Sequence, residues 1–400
     1  SSLVGSEMCI RDRSLKLKKL CINKIYPEIA QNVNRTNYKR NCLIVYIKGP
    51  FQLQMRMKGH THQNVVQLKE IARQIGNFGY NVDVIDYNNT SVKLKKKYDL
   101  VLDICPREHP VYERNLTEGS IRIAYLTGSN SVFTNNAENQ RINELYLRKG
   151  VKLVARRQAQ IISKDIEQFD AFFFIGNRHN LETFSEFHLP PVYYMPNTGY
   201  KYNFDITRLI KKGIKRKNAF LYLGGSGAVH KGLDLVLEVF TEDKFPCELY
   251  ICAPINKEND FIEVYHNELF KNFNIHQIGF IDPLSFRFRQ IAARCSYMIL
   301  PSCSEGMSGA VTTAMSAGII PICSRECGFD DGDVINLDNC HIDTIKKKVI
   351  ECANKPLDWI ETECKKEVQL AKSKYSWNAF SNTLNDALEK TLNRNGHEEE

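Results

Sequence analysis

The 400-residue chain contains no long uninterrupted run of apolar residues. Its most apolar stretches, residues 43–47 and 297–300, have the length of strands, whereas a membrane-spanning helix needs about 18 apolar residues. A large excess of one charge is also missing, since 54 Lys and Arg residues face 46 Asp and Glu residues. The resulting net charge of +8 suits anionic ligands without indicating a nucleic-acid partner.

Cysteine pairing patterns are absent as well. The 13 cysteines are scattered along the chain, and none of them forms a Cys-x-x-Cys pair. We therefore predict a reduced, cytoplasmic protein in which Cys323 and Cys327 are core thiols. Basic runs at residues 16–19, 93–97 and 211–217 are typical of solvated faces, and they leave open a peripheral contact with the anionic inner face of a membrane.

The length and the alternation of patterns predict two α/β domains. Residues 1–13 are similar to translated adapter sequence and are set aside. Beyond them, short apolar runs alternate with helical patterns, which favours parallel sheets with helical crossovers. The predicted domains are residues 41–206 and 218–374, followed by a helix at 375–392. The predicted strands are residues 43–47, 82–87, 99–104, 121–126, 171–175, 219–223, 248–252, 275–278, 297–300 and 319–323.

A glycine-rich loop follows the first strand of the second domain. It contains Gly225, Ser226 and Gly227, and His230 and Lys231 come just before a predicted helix. Glycines let a ligand approach the backbone, amides at a helix start favour an anion, and the lysine adds a positive charge. The spacings of the Walker loop and of the Gly-x-Gly-x-x-Gly fingerprint are both missing. A phosphate site and a plain strand-to-helix turn both remain open.

A second informative loop follows the predicted strand at residues 297–300. It contains Glu305 and leads into a short helix that opens near Ser308. Ligands of open α/β sheets bind at the carboxyl ends of strands, where this glutamate falls. Small residues at the helix start predict that the amides of residues 307–310 are open to a phosphate or a sugar hydroxyl. The alternative for Glu305 is a solvated loop carboxylate. Further along, Asp282 and Pro283 are predicted to begin a helix.

Residues 225–232 and 304–322 together resemble the nucleotide domain of retaining GT-B glycosyltransferases of the family-four type. The motifs of that family read Gly-Arg-x4-Lys-Gly and Glu-x7-Glu-Ala-Met-x2-Gly-x-Pro. Ser226 replaces the motif arginine, Thr313 replaces the second glutamate, and Pro321 comes one residue late. The sequences of both loops also resemble those of a bacterial subgroup of such enzymes encoded in surface-polysaccharide gene clusters.

The resemblance implies a GT-B architecture of two facing, Rossmann-like, doubly wound domains with a C-terminal crossover helix. It implies a hexosyltransferase of polysaccharide biosynthesis, which moves a sugar with retention from a nucleotide-diphosphate donor to a glycan or lipid-linked acceptor. Lys231 and Glu305 carry over as the catalytic residues. The further donor-binding candidates are Gly225, Ser226, Gly227, His230, Gly306, Met307, Ser308, Gly309 and Thr313.

The acceptor-side candidates follow strands of the first domain. They are Gly49, His60, His62 and Thr127.

Neither a cofactor nor a metal is expected. The two histidines lack a third ligand, and residues 331–333 (Asp-Gly-Asp) are typical of a turn rather than a metal site. A nucleotide-sugar epimerase on the same fold and a non-catalytic sugar-nucleotide-binding or scaffold protein remain alternatives, because fold does not decide function.

Overall fold

The computed structural model describes residues 28–52, 62–242 and 244–394. They form two compact units, and the division between the units falls between Ala124 and Tyr125. Each unit contains parallel strands followed by helices, as the sequence pattern predicts. In the ranges that the structure describes, no helix is long and apolar enough to cross a membrane.

The first unit is a small parallel sheet with one antiparallel edge strand. Its strands occur in the order β1-β3-β2-β4-β5, and β1 pairs antiparallel with β3. The chain runs from β2 outward to β3 and then returns to the other side of β2, so the direction of winding reverses beside this strand. The elements are β1 (Ile29–Ala30), β2 (Arg40–Tyr46), α1 (Gln63–Asn77), β3 (Tyr80–Asp86), β4 (Tyr98–Asp103) and β5 (Leu116–Leu126).

The second unit begins with two helices and a parallel pair of strands. Its first elements are α2 (Ser131–Lys149), β6 (Ala171–Phe174), α3 (Arg178–Glu182) and β7 (Val192–Tyr194). Residues 151–163 form an irregular segment that belongs to neither a helix nor a strand. Just after β6, the amide of Ile175 donates to the carbonyl of Leu126 at 2.9 Å.

A six-stranded parallel sheet follows in the same unit, in the order β10-β9-β8-β11-β12-β13. Its central strands are almost wholly apolar because helices cover both faces of a parallel sheet. The strands are β8 (Arg216–Leu223), β9 (Glu248–Cys252), β10 (Ile275–Gln277), β11 (Cys295–Leu300), β12 (Ile320–Ser324) and β13 (Ile335–Leu337).

The helices of this part complete the doubly wound arrangement. They are α4 (Ile206–Lys211), α5 (Leu233–Phe240), α6 (Asn259–Val264), α7 (His266–Phe270), α8 (Phe286–Arg294), α9 (Gly309–Ser316), α10 (Ile342–Ala353), α11 (Leu357–Ser373) and α12 (Trp377–Arg394).

The ten predicted strands are all present, whereas the short strands β1, β7 and β13 were not predicted. The predicted helix start at Asp282 and Pro283 is wrong. Helix α8 begins at Phe286, and the Ser285 hydroxyl accepts from the amide of Phe288 at 3.1 Å. Asp282 instead accepts from the amide of Leu284 at 2.9 Å, which holds a separate turn before the helix.

The predicted core thiols are confirmed, since Cys323 and Cys327 are free and fully buried.

The last helix lies apart from the core of the second sheet. Phe380, Leu384 and Leu388 are fully buried, yet they do not belong to the apolar cluster around that sheet, which includes Tyr375. Ala379 of α12 and Tyr194 of β7 line a common cavity. Helix α12 therefore has a buried apolar stripe and borders the same cavity as Tyr194 of β7.

Candidate functional site

The second sheet has a topological switch point between β8 and β11. From β8 the chain winds outward through β9 and β10, and from β11 it winds the opposite way through β12 and β13. The crevice beyond the carboxyl ends of such a strand pair is where open α/β sheets bind ligands. The loop after β8 carries Lys231 and the loop after β11 carries Glu305, so both predicted catalytic residues lie at this crevice.

Lys231 and Glu305 form a buried ion pair. The ammonium contacts Glu305 Oε1, and the two side chains are only 9% and 13% exposed. The hydroxyl of Ser302 donates to the same oxygen at 3.0 Å. Burial alone would raise the pKa of Glu305, but the neighbouring positive charges, with that of Lys231 the largest, together outweigh burial and lower the pKa to about 2. The carboxylate is therefore ionised at neutral pH.

His230 lies beside this pair and is directed away from it. Its Nε2 is 2.7 Å from the carbonyl oxygen of Ser304. A carbonyl only accepts, so Nε2 carries the ring hydrogen. Burial lowers the pKa of His230, which keeps the ring neutral, and Nδ1 faces the Glu138 carboxylate at 4.0 Å without a hydrogen bond. The imidazole thus fixes the Ser304 end of the neighbouring loop.

The amides of the glycine loop already bind a carboxylate of the protein itself. The carboxylate of Glu258 accepts from the amide of Gly227 at 2.6 Å and from the amide of Ala228 at 3.0 Å. Glu258 is only 2% exposed, whereas Gly225 and Ser226 form the exposed tip of the loop. No sequence motif points to Glu258, because this residue follows a different strand, β9.

Gly306 permits a very close approach between two stretches of backbone. A Cβ at this position would lie 2.4 Å from the carbonyl oxygens of both Thr127 and Ile175. Met307 donates its amide to Ile175 at 3.2 Å, and Ser308 donates to Cys327 at 3.0 Å. The prediction that these two amides are open to a ligand is therefore wrong in this structure, because main-chain carbonyls already bind them.

The carbonyl of Glu305 is fixed as firmly as its carboxylate. It accepts from the amide of Ser129 at 3.0 Å, from the Ser129 hydroxyl at 2.9 Å and from Asn180 Nδ2 at 3.3 Å. The same Asn180 amide group donates to the carbonyl of Glu326 at 3.1 Å. These contacts hold the Glu305 peptide in place while its side chain reaches Lys231.

Gly309 and Thr313 belong to helix α9, for which Ser308 is the N-cap residue. Thr313 is buried, and its hydroxyl donates to the carbonyl of Gly309 at 2.6 Å. The hydroxyl hydrogen is thus directed into the helix. This geometry is that of a side chain bonding back to its own helix turn.

The acceptor-side candidates are divided between the two units. Gly49 opens a 3-10 turn directly after β2, where the winding of the first sheet reverses. His62 is the N-cap residue of α1, and its Nδ1 accepts from the amide of Asn64 at 3.3 Å. Thr127 is exposed and lies in the second unit, just after β5. His60 lies outside the described residues.

The Asp-Gly-Asp segment is a turn, as predicted. The amide of Asp333 donates to the carbonyl of Asp330 at 3.1 Å, and Lys374 Nζ is 2.6 Å from a carboxylate oxygen of each of these aspartates. Within the described part of the chain, no group of three His, Cys, Asp or Glu residues could hold a metal ion.

A cavity of about 570 Å³ lies within the second unit, beside Met307. Its lining includes Asn177, Tyr194, Lys374 and Tyr375, so it combines aromatic and charged groups. The volume falls in the range of pockets that hold small ligands.

No protein-family model matches the sequence, and no curated protein sequence matches it. The arrangement of two parallel sheets with strand-order reversals is nevertheless the GT-B fold of glycosyltransferases, which confirms the predicted fold class.

Solved structures with this fold include sucrose-phosphate synthase from Thermosynechococcus elongatus, with a TM-score of 0.61 and 10% identity over 89% of this chain and 100% of that chain. The HepE protein of Anabaena, solved with UDP and glucose, has a TM-score of 0.53 and 10% identity over 89% and 99%. TarM from S. aureus, solved with UDP, has a TM-score of 0.50 and 12% identity over 74% and 55%. At these levels of sequence identity, the structural similarity shows the fold alone.

Proposed function

We propose that the protein is a retaining glycosyltransferase that moves a sugar from a nucleoside-diphosphate donor to a glycan or lipid-linked acceptor. The observation that carries this proposal is the buried pair of Lys231 and Glu305 at the switch point of the second sheet. The UDP and glucose bound to HepE, a protein of the same fold, support a nucleotide sugar as the donor.

The pair supplies two complementary functions. When the anomeric bond breaks, negative charge develops on the β-phosphate of the leaving nucleoside diphosphate, and the ammonium of Lys231 stabilises it. The ionised carboxylate of Glu305 accepts hydrogen bonds from donor-sugar hydroxyls and holds the ring, so that the acceptor attacks from the face that the diphosphate leaves. Because the pair is largely buried, both interactions act in a medium of low dielectric constant.

The remaining candidates have supporting roles in this proposal. Gly225 and Ser226 present the open tip of the loop to the donor, whereas the backbone of residues 306–309 shapes the wall behind Glu305. Gly49, His60, His62 and Thr127 stay proposals for the acceptor side. The reaction as proposed uses no metal.

We also propose a cytoplasmic location, with peripheral membrane contact if the acceptor is lipid-linked. The cysteines that the structure describes are all free, which supports a reducing compartment.

The test begins with a thermal-shift screen of UDP-, GDP- and ADP-sugars, followed by donor turnover with and without glycan and lipid-linked acceptors. We expect a stabilising donor and transfer that depends on an acceptor. Lys231→Ala should abolish transfer, whereas Lys365→Ala, which removes an exposed lysine paired with Glu361, should not. Epimerised donor without an acceptor would indicate an epimerase, and binding without turnover would indicate a non-catalytic protein.

A further inference from the structure

The groups at the switch point that could attract a diphosphate are already paired with protein groups or uncharged. Lys231 is paired with Glu305, and His230 is neutral. The amides of Gly227 and Ala228 already bind the carboxylate of Glu258. A donor diphosphate carries several negative charges, so the loop alone offers it little net attraction.

An additional cation reaches this loop from the irregular segment at residues 151–163. A Cβ on Gly227 would lie 2.6 Å from Cγ of Arg157, which shows that the arginine stem crosses directly over this glycine. Gly227 also has a φ of +91°, which side-chain-bearing residues rarely adopt. The glycine therefore provides both the turn and the space for the arginine.

The main chain of this segment is anchored, which places the Arg157 side chain reproducibly. The amide of Arg157 donates to both carboxylate oxygens of Glu138, at 2.9 and 3.0 Å. Glu138 is only 2% exposed and also accepts from the amide of Arg156 at 2.9 Å and from Gln158 Nε2 at 2.7 Å. One buried carboxylate on α2 thus fixes three consecutive residues against the glycine loop.

The two adjacent arginines have different surroundings. The Arg156 guanidinium contacts Asp260 and lies 3.6 Å from Glu258, so it is engaged within the protein. The Arg157 guanidinium is exposed, and among the described residues it makes no hydrogen bond or ion pair. Its positive charge nevertheless acts on Glu305, as that of Lys231 does. Arg157 is therefore near the ion pair and open to a ligand.

We propose that Arg157 binds the donor diphosphate as a second cation beside Lys231, supplied by a segment outside the glycine loop. This assignment rests on the proposed function. A guanidinium presents a planar fork of donors that matches phosphate oxygens, and it remains charged at every physiological pH. The diphosphate is then held between an ammonium in the crevice and a guanidinium at its exposed edge.

The test is calorimetry with inorganic pyrophosphate, with UDP, GDP and ADP, and with the corresponding nucleosides. Arg157→Ala is expected to weaken binding of pyrophosphate and of the nucleoside diphosphate by about tenfold or more, and to leave nucleoside affinity unchanged. Arg157→Lys should restore part of the loss. The matched control is Lys152→Ala, which removes an exposed cation from the same segment and should have no effect.

The outcomes separate this inference from the proposed function. Equal diphosphate affinity in the wild type and in folded Arg157→Ala would overturn the inference, even if transfer occurs. Pyrophosphate binding that depends on Arg157, without binding of any nucleotide, would support the inference and contradict the proposed function. A wild-type protein that binds neither probe would overturn both. Circular dichroism of each variant establishes that it is folded.

Discussion

Replacing Glu305 with Gln tests whether the Lys231 ammonium, which is paired with Glu305 in the free protein, also binds the donor phosphate. In the free protein Glu305 holds the Lys231 ammonium, so a donor phosphate must compete with a carboxylate for it. Gln keeps the size of the side chain and an oxygen for the Ser302 hydroxyl, but it removes the charge. We expect the Glu305→Gln variant to be less stable when free and to bind a nucleoside diphosphate more tightly.

The size of the stability loss follows from the pKa of Glu305. Its lowering from 4.5 to about 2 corresponds to about 3 kcal/mol. Because the folded-state pKa is the lower one, this stabilisation is present above pH 4.5 and is lost as the pH falls towards 2. Removing one partner of a buried pair generally costs about 3 to 5 kcal/mol, which agrees with this value.

Urea unfolding, monitored by circular dichroism, measures this loss of stability at pH 7 and again under acid conditions. The difference in unfolding free energy between the variant and the wild type should shrink under acid conditions. Calorimetry with the nucleoside diphosphate should show about tenfold tighter binding, or about 1.4 kcal/mol, because the freed ammonium meets the phosphate without competition. Sugar transfer should fall, since a neutral amide replaces the charged carboxylate that accepts hydrogen bonds from the donor-sugar hydroxyls. Glu361→Gln is the matched control, because it breaks an exposed lysine pair and should change none of these quantities measurably.

Unchanged or weaker diphosphate affinity in Glu305→Gln, at the expected loss of stability, would refute this reasoning. It would show that Lys231 serves only as the counter-ion of Glu305 and does not contact phosphate.

Three further predictions follow from the same site and from the last helix. Lys231→Ala should weaken nucleoside diphosphate binding by about 1.5 to 3 kcal/mol without unfolding the protein, and unchanged affinity in calorimetry would contradict it. Turnover should persist in excess EDTA because Asp331 and Asp333 belong to a turn, so loss of activity that Mg²⁺ or Mn²⁺ restores would show the turn assignment to be incomplete. A chain ending at Ser376 keeps the buried Tyr375 but lacks α12. Its nucleotide affinity should stay within about tenfold of that of the full chain, whereas its transfer activity should fall far more. Equal losses of binding and transfer would show that the helix stabilises the whole unit.

Much of the fold could be predicted because its central strands are uninterrupted apolar runs. A strand such as β8 is buried on both faces, so its pattern is visible without knowledge of its neighbours. The edge strands β1, β7 and β13 have only two or three residues, too few to show a period. The start of α8 was misplaced because an Asp-Pro pair serves equally well in a turn, and only the Ser285 cap decides between the two.

The candidate site was predictable only where its chemistry lies in contiguous motifs. Lys231 and Glu305 were found in this way. Glu258, Glu138 and Arg157 were missed, because each acts through a contact with a segment distant in sequence. The small residues after Glu305 predict room for a ligand, whereas the structure uses that room for the approach of backbone carbonyls.

The bonds to the Glu305 peptide also have a consequence for the order in which the protein can fold. The Ser129 hydroxyl bonds to a carbonyl 176 positions further along the chain, and Asn180 bonds to the carbonyl of Glu326, 146 positions further. Contacts between such distant positions form late and slow folding, because a long loop must close before they contribute. During synthesis, the β6 region therefore leaves the ribosome with its polar loop ends still bonded to water. It can reach its final state only after the strand-to-helix loop of β11 and the turn after β12 have followed.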